Sequence, residues 1–272
     1  MNILIPMAGE GKRFSDVGYK IHKPILPVVY HKTGKEYPMA VCATFDALCA
    51  SEKNYNLLYV DRDFHKDDRV EEEIQKHFPS AKFITTTHLT QGQASTCLLA
   101  KDEINSKEEL LIASCDNGMI YTAEKFLAQK DKADAMVFTF RNNEAVLENP
   151  NAYGWMVTDS DENVLRTSIK KAISDTPKND HAVVGTFWFK SGELFVVATE
   201  KMIKENDRIN NEFYVDQVMA HILDLGGRVK VFELEQYLCW GTPEEYEKYM
   251  KTYQYWHEFY NGNDYIGNRS EL

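Results

Sequence analysis

The chain predicts an α/β fold: a mixed, mainly parallel sheet with helices on both faces. Three observations lead there. Short apolar or β-branched runs alternate with helical patterns through the first 140 residues. The run at 110–114 is apolar, as a strand covered on both faces is. The 272 residues hold no internal repeat and no Pro/Gly/Ser linker, so they form one large domain or two small ones.

The elements follow in order. Residues 2–7 read as a first buried strand. Residues 38–50 read as a helix, with Met39, Cys42, Phe45 and Leu48 along one stripe. A strand at 56–61, a helix at 70–78, a strand at 82–87 and a helix at 93–101 continue the alternation. The wholly apolar run 110–114 is a strand, 123–129 a helix and 135–141 a strand. The second half changes character. Two β runs, 154–159 and 164–169, flank Ser160-Asp161-Glu162-Asn163, a hairpin turn. A strand at 183–189, helices at 193–205 and about 214–225, and a strand at 228–233 follow. Residues 243–260 form a long aromatic-rich helix that begins with Pro. The right-handed crossover rule places the C-terminal ends of the parallel strands on one edge, where such sheets bind ligands.

Composition excludes several classes. No apolar run approaches the roughly 20 residues that span a bilayer, and Met1-Asn2-Ile3-Leu4-Ile5-Pro6 lacks the basic start of a secretory signal. The five cysteines include no C-x-x-C pair, which points to reduced thiols and a cytoplasmic location rather than disulfides or a zinc knuckle. The eight histidines form no metal-ligand pair. A net charge of −11 argues against nucleic acid as a partner. Yet residues 1–35 hold Lys12, Arg13, Lys20, Lys23, Lys32 and Lys35 against Glu10 and Asp16. A local positive patch on an acidic protein suits a small polyanion, although a solvated surface would read the same way.

The most informative segment is Ile5-Pro6-Met7-Ala8-Gly9-Glu10-Gly11-Lys12-Arg13-Phe14, followed by His22-Lys23-Pro24. A buried strand runs into a small Gly-containing loop that ends in two cations. Such a loop lets backbone N–H groups converge on phosphate oxygens, and the cations neutralise them. It is not a Walker A loop, because Arg13 follows the Lys where Ser or Thr belongs. Phe14 occupies the third Gly position of G-x-G-x-x-G. A second segment, Leu110-Leu111-Ile112-Ala113-Ser114-Cys115-Asp116, places a hard carboxylate just beyond a buried strand, suited to Mg²⁺. An Asx-turn there would account for the same residue.

In this motif order the chain resembles the sugar-1-phosphate nucleotidyltransferase family, over residues 2–249. The resemblance implies a Rossmann-like domain over 1–250: an NTP-binding half at 1–140 and an acceptor-binding half at 150–250 with a smaller acceptor-side β insertion. Residues 251–272 are then a helix end and tail. It implies nucleotide contacts at Ala8, Gly9, Gly11, Lys12 and Arg13, with Gly92 and Thr87 beside the base. It implies catalytic cations at Arg13, Lys23 and either Lys170 or Lys171, and Mg²⁺ on Asp116. Tyr153, Gly154, Gly185 and Glu212 are carried over to the acceptor side.

Two departures stand out. Cys115 replaces the family's Gly before Asp116, and Cys239 in Cys239-Trp240-Gly241-Thr242-Pro243 replaces its second metal-binding Asp. Water, phosphate or a nearby carboxylate such as Asp216 then completes the metal shell.

The implied reaction moves a nucleoside monophosphate from an NTP, a pyrimidine nucleotide favoured, to a small phosphorylated acceptor and releases pyrophosphate. The acceptor is a sugar-1-phosphate, for surface polysaccharide, or alternatively a non-sugar phosphate used with CTP. Another class stays open: a glycosyltransferase using Asp159-Ser160-Asp161 as a D-x-D metal motif, or an inactive regulatory module. A homo-oligomer is compatible with the sequence.

Overall fold

The computed structural model describes residues 1–51 and 54–267; the last five residues of the expected tail lie outside the described residues. The first half runs β1 (Asn2–Pro6), α1 (Lys12–Ser15), β2 (Pro27–Val29), β3 (Glu36–Pro38), α2 (Met39–Leu48), β4 (Asn56–Arg62), α3 (Val70–Gln75) and β5 (Lys82–Thr86). It continues through α4 (Gln93–Leu98), α5 (Lys101–Ile104), β6 (Leu110–Ile112), β7 (Asn117–Ile120), α6 (Ala123–Lys130) and β8 (Ala135–Phe140). The second half runs α7 (Ala145–Glu148), β9 (Gly154–Thr158), β10 (Val164–Ile169), β11 (His181–Phe189), α8 (Gly192–Lys204), α9 (Val215–Asp224), β12 (Val229–Glu233), β13 (Gln236–Cys239) and α10 (Pro243–Gly267).

The main sheet has the path β12-β8-β11-β6-β1-β4-β5. Every strand of that path runs the same way except β11, which is antiparallel to both neighbours. The β9–β10 hairpin joins the N-terminal half of β11, pairing Ala182 with Trp155. Alternation along the strands builds two cores. Ile3 and Ile5 face α2, α3 and α6 through Val41, Ile74 and Phe126. Leu4, Leu58 and Ile112 face α4, α8 and α9 through Cys97, Phe195 and Met219. The expected mixed sheet with helices on both faces is therefore present.

A third cluster was not anticipated. Phe14, Val28, Tyr30, Cys42, Trp240 and Tyr246 pack together and tie α1 and the β2–β3 ribbon to the start of α10. Tyr246 and Tyr249 donate to the carbonyls of Pro27 and Val29.

Some boundaries differ from expectation. The single helix over 93–101 breaks into α4 and α5, because Ala100 leaves the helical region with ψ 12°. The last helix runs past residue 260 to Gly267. Two short ribbons, β2–β3 and β7–β13, have no counterpart among the expected elements. The second matters most. It pairs Cys239 with Asn117, carrying the late Cys239–Pro243 segment to the end of β6.

Candidate active site

The C-terminal ends of β1 and β6, with the middle of β11, converge on Asp116. β1 delivers the Gly9–Arg13 loop and β6 delivers Ser114–Asp116. Gly185 lies beside them: a Cβ there would sit 3.6 Å from Ser114 Cβ. The β7–β13 pairing brings Trp240 N–H to within 3.1 Å of the Asp116 carbonyl.

Asp116 is held by a compact set of donors. Lys23 Nζ donates to Asp116 Oδ2 at 2.5 Å and to the Gly241 carbonyl at 3.3 Å. Ser114 Oγ donates to Asp116 Oδ1. Burial works against the carboxylate charge, but the Lys23 ammonium, the hydrogen bonds from Lys23 and Ser114, and Arg13 hold its pKa below the ordinary value. Burial likewise works against the Lys23 charge, and Asp116 outweighs it and raises that pKa. Both groups are therefore charged at neutral pH. Arg13 Nη1 reaches the Gly241 carbonyl at 3.5 Å, on the same side.

Two cavities meet at Asp116. A cavity of about 240 Å³ is lined by Gly9, Glu10, Gly11, Lys23, Gln93 and Asp116, among others. A larger one of about 780 Å³ is lined by Arg13, Gln93, Asp116, Tyr153, Gly154, Lys170 and Gly185, with further residues from α7, α9 and the start of α10. Gln93 and Asp116 belong to both linings.

The structure separates the two lysine candidates. Lys170 lines the larger cavity, with a left-handed backbone at φ 57° and its Nζ on the Ala152 carbonyl. Burial depresses its pKa, partly offset by Asp216. Lys171 is exposed and lines neither cavity. Five other expected contacts, Ala8, Lys12, Thr87, Gly92 and Glu212, also lie outside both linings. Lys12 points to solvent, and Thr87 is exposed with its Oγ1 3.4 Å from His88 Nδ1. Glu212 packs against Gly92 instead of entering the larger cavity. Gly92 itself has φ 117°, and a Cβ there would sit 2.6 Å from both the N and O of Phe213. It is a fixed hinge between the β5–α4 loop and the segment leading into α9.

The position expected of a second metal-binding Asp holds a proton donor. Cys239 Sγ donates to Glu245 Oε2 at 2.9 Å. Burial, then Glu245, pushes the thiol pKa upward, so the sulfur keeps its proton. Glu245 is the third residue of α10, in the helix start Thr242-Pro243-Glu244-Glu245, and its N–H donates to Thr242 Oγ1 at 3.3 Å. Sequence reading missed Glu245, although that capping pattern was there to find. It also missed Gln93 and Ser114, which carry no signal beyond lying one residue after Gly92 and two before Asp116. A Mg²⁺ ion takes one or two protein carboxylates and fills the rest of its shell with water and phosphate oxygens. Asp116, hard and ionised, fits that requirement, and the protonated Cys239 does not.

The Asp159-Ser160-Asp161 motif has a different use. Asp159 accepts from the N–H groups of Asp161 and Asn163, each at 2.9 Å, and from the Asn163 amide. It closes the β9–β10 turn and lines neither cavity.

A family model described as nucleotidyl transferase matches residues 3–254. The chain belongs to the nucleotidyl transferase family. Among curated proteins it is similar to the bifunctional protein GlmU of Listeria welshimeri, 23% identical over 85% of this chain and 46% of that protein. GlmU of Staphylococcus carnosus is 26% identical over 54% of this chain and 32% of its own length. The chain thus spans less than half the length of these curated relatives.

Solved structures share the fold of this chain. A nucleoside-diphosphate-sugar pyrophosphorylase from Vibrio cholerae superposes with a TM-score of 0.71 at 19% identity, over 92% of this chain and 99% of that one. A UDP-glucose pyrophosphorylase complexed with UDP-glucose gives 0.69 at 17% identity, over 93% and 98%. An inositol-1-phosphate CTP transferase from T. maritima gives 0.64 at 14% identity, over 90% of each.

Proposed function

We propose that this nucleotidyltransferase transfers a nucleoside monophosphate from an NTP to a small phosphorylated acceptor, a sugar-1-phosphate in the first reading, with release of pyrophosphate. The observation that carries this reading is the charged Lys23–Asp116 pair at the junction of two cavities. The reaction needs such a place: one phosphate must meet another where their charge is neutralised. Neighbours in the fold with names such as UDP-glucose pyrophosphorylase and inositol-1-phosphate CTP transferase support the same class.

In this mechanism the smaller cavity and the Gly9–Arg13 loop hold the NTP, and the larger cavity holds the acceptor. The domain, residues 1–250, divides accordingly into a nucleotide half at 1–140 and an acceptor half at 150–250. An acceptor phosphate oxygen attacks the α-phosphorus, the bond to the β-phosphate oxygen breaks, and pyrophosphate leaves. No general base is required, because the attacking phosphate is already ionised. Lys23, Arg13 and Lys170 stabilise the phosphate charge that builds in the transition state. Asp116 is the residue that would hold Mg²⁺, which supplies further charge neutralisation when bound. Catalysis is positioning plus electrostatics.

Extending the reading, the nucleotide is a pyrimidine, the product feeds surface polysaccharide synthesis, and the enzyme is cytoplasmic; a homo-oligomer is compatible with this reading. Among the described residues no helix is long and apolar enough to cross a membrane. The test is pyrophosphate release with Mg²⁺, with NTPs crossed against sugar-1-phosphates and non-sugar phosphates. Release that requires one NTP and one acceptor supports the proposal. NTP-independent or acceptor-independent turnover, or none with intact folding, overturns it.

A further inference from the structure

The larger cavity carries more negative charge than a phosphate pocket needs. Its cations are Arg13 and Lys170. Besides Asp116, its lining includes Glu148, Asp216, Glu244 and Glu245. Three of these have an evident use or sit in water: Glu245 accepts the Cys239 thiol, and Glu148 and Glu244 are exposed. Asp216 is different. It lies in the first turn of α9, is only 9% exposed, and its Oδ1 is buried with no hydrogen-bond partner.

Room for this carboxylate is made on the opposite wall. Gly154 opens β9 there, and a Cβ at that position would collide with Asp216 Oδ2. Lys170 attracts it through space but forms no ion pair with it. Lys170 Nζ donates to the Ala152 carbonyl and lies 5.6 Å over the Tyr214 ring. Among the described residues no ion pair reaches Asp216 within 4.0 Å. Burial outweighs the Lys170 charge and the N–H groups of Asp216 and Gln217 that favour the ionised carboxylate, and a cation from outside the chain relieves that cost. Tyr153, Tyr214 and Tyr237 line the same cavity, and aromatic faces also attract cations.

We infer that Asp216 selects an acceptor carrying an ammonium group in addition to its phosphate, whether a phosphorylated amine or an amino-sugar phosphate. Asp216 is then the specificity-determining residue of the acceptor side. The inference rests on the reading that this cavity takes a phosphorylated acceptor. It deepens that reading by choosing among acceptors on charge. A neutral polyol phosphate would leave the Asp216 carboxylate sharing its pocket only with hydroxyls, whereas an ammonium group supplies the missing counter-charge.

Two matched pairs of acceptors test it: phosphoethanolamine against 2-hydroxyethyl phosphate, and glucosamine-1-phosphate against glucose-1-phosphate. Each pair differs by an amine in place of a hydroxyl, and the two pairs tell the amine source from the amino-sugar source. Pyrophosphate release gives kcat/KM. Calorimetry with a non-hydrolysable NTP analogue bound gives affinity without turnover. The wild type is expected to favour the ammonium member of at least one pair by about tenfold or more. In Asp216→Asn that preference should fall to within about threefold. The wild-type comparison stands by itself should the variant not fold. Equal or better use of the neutral members overturns the inference and leaves the proposed reaction intact. An Asp216→Asn variant that loses both members equally, or needs more Mg²⁺ for both, also overturns it, because Asp216 would then act on Lys170 or the metal. No pyrophosphate release, but binding that favours the ammonium member, removes the proposed reaction and keeps the inference. Neither release nor preferential binding removes both.

Discussion

At the residue scale, the site is a set of charges arranged so that each holds another in place. Lys23 and Asp116 keep one another ionised against the cost of burial, and Gly241 and Ser114 fix their positions. Cys239 is the informative exception. A thiol whose pKa is pushed upward by burial, and which donates to Glu245, serves as a hydrogen-bond donor. Cys239→Ser preserves a donor of similar reach. Its pyrophosphate release should stay within about threefold of wild type, with an unchanged Mg²⁺ dependence. A loss of two orders of magnitude or a shifted Mg²⁺ requirement would show that the sulfur does more than donate. Asp116 was legible from its place after an apolar strand. The choice between Lys170 and Lys171 was not, because a one-residue shift in an irregular strand end decides which of them turns inward. The left-handed backbone at Lys170 makes that turn.

At the element scale, two devices fix the frame around the site. The first is the seam at Gly92, where Phe213 N–H donates to the Gln91 carbonyl and Ala94 N–H donates to the Phe213 carbonyl. Gly92→Ala must either abandon φ 117° or push into the Phe213 backbone. A loss on the order of 2 kcal/mol, or roughly 4–8 °C in Tm, is expected by thermal unfolding. An unchanged Tm would mean that the seam opens at no cost.

The second device is Asp134, which fastens the neighbouring ends of β8, β11 and β12. It accepts from Arg228 at 2.9–3.1 Å, and its carbonyl accepts from Lys190 N–H. Hydrogen bonds from the Arg228 side chain are the main cause that lowers its pKa to about 2, with burial opposing. A depressed carboxyl pKa gives stability that is present above the unfolded value near 4 and is lost as pH falls toward 2. Arg228→Gln should therefore lower Tm at pH 7 and by progressively less from pH 4 downward. A gap in Tm that stays constant down to pH 2.5 would contradict this assignment. None of these partners is adjacent in sequence, and their pairing depends on strand order that no local pattern encodes.

At the scale of the whole molecule, the alternation of strand and helix was readable because parallel strands covered on both faces are apolar throughout. That is the case for β6 and for most of β1, whose ends carry the site. The ribbons were not readable. β2, β3, β7 and β13 are three or four residues long and mix proline, polar and aromatic residues. β7 and β13 also pair across more than a hundred residues of chain, Asn117 with Cys239. The outcome is that a segment near the C-terminus completes a site begun at the N-terminus, and α10 locks it there through Tyr246 and Trp240. The family membership was visible in the first loop. The junction of two cavities at Asp116 required the fold.

The most direct test of the central claim is Mg²⁺-dependent pyrophosphate release by Asp116→Asn and Lys23→Ala beside the wild type, with Tm measured on each. Either change removes one member of the ion pair whose Asp116 lines both cavities. Each variant is expected to lose roughly 10²–10³ in kcat while remaining folded. Full activity in either folded variant would contradict the assignment of the pair as the reaction centre.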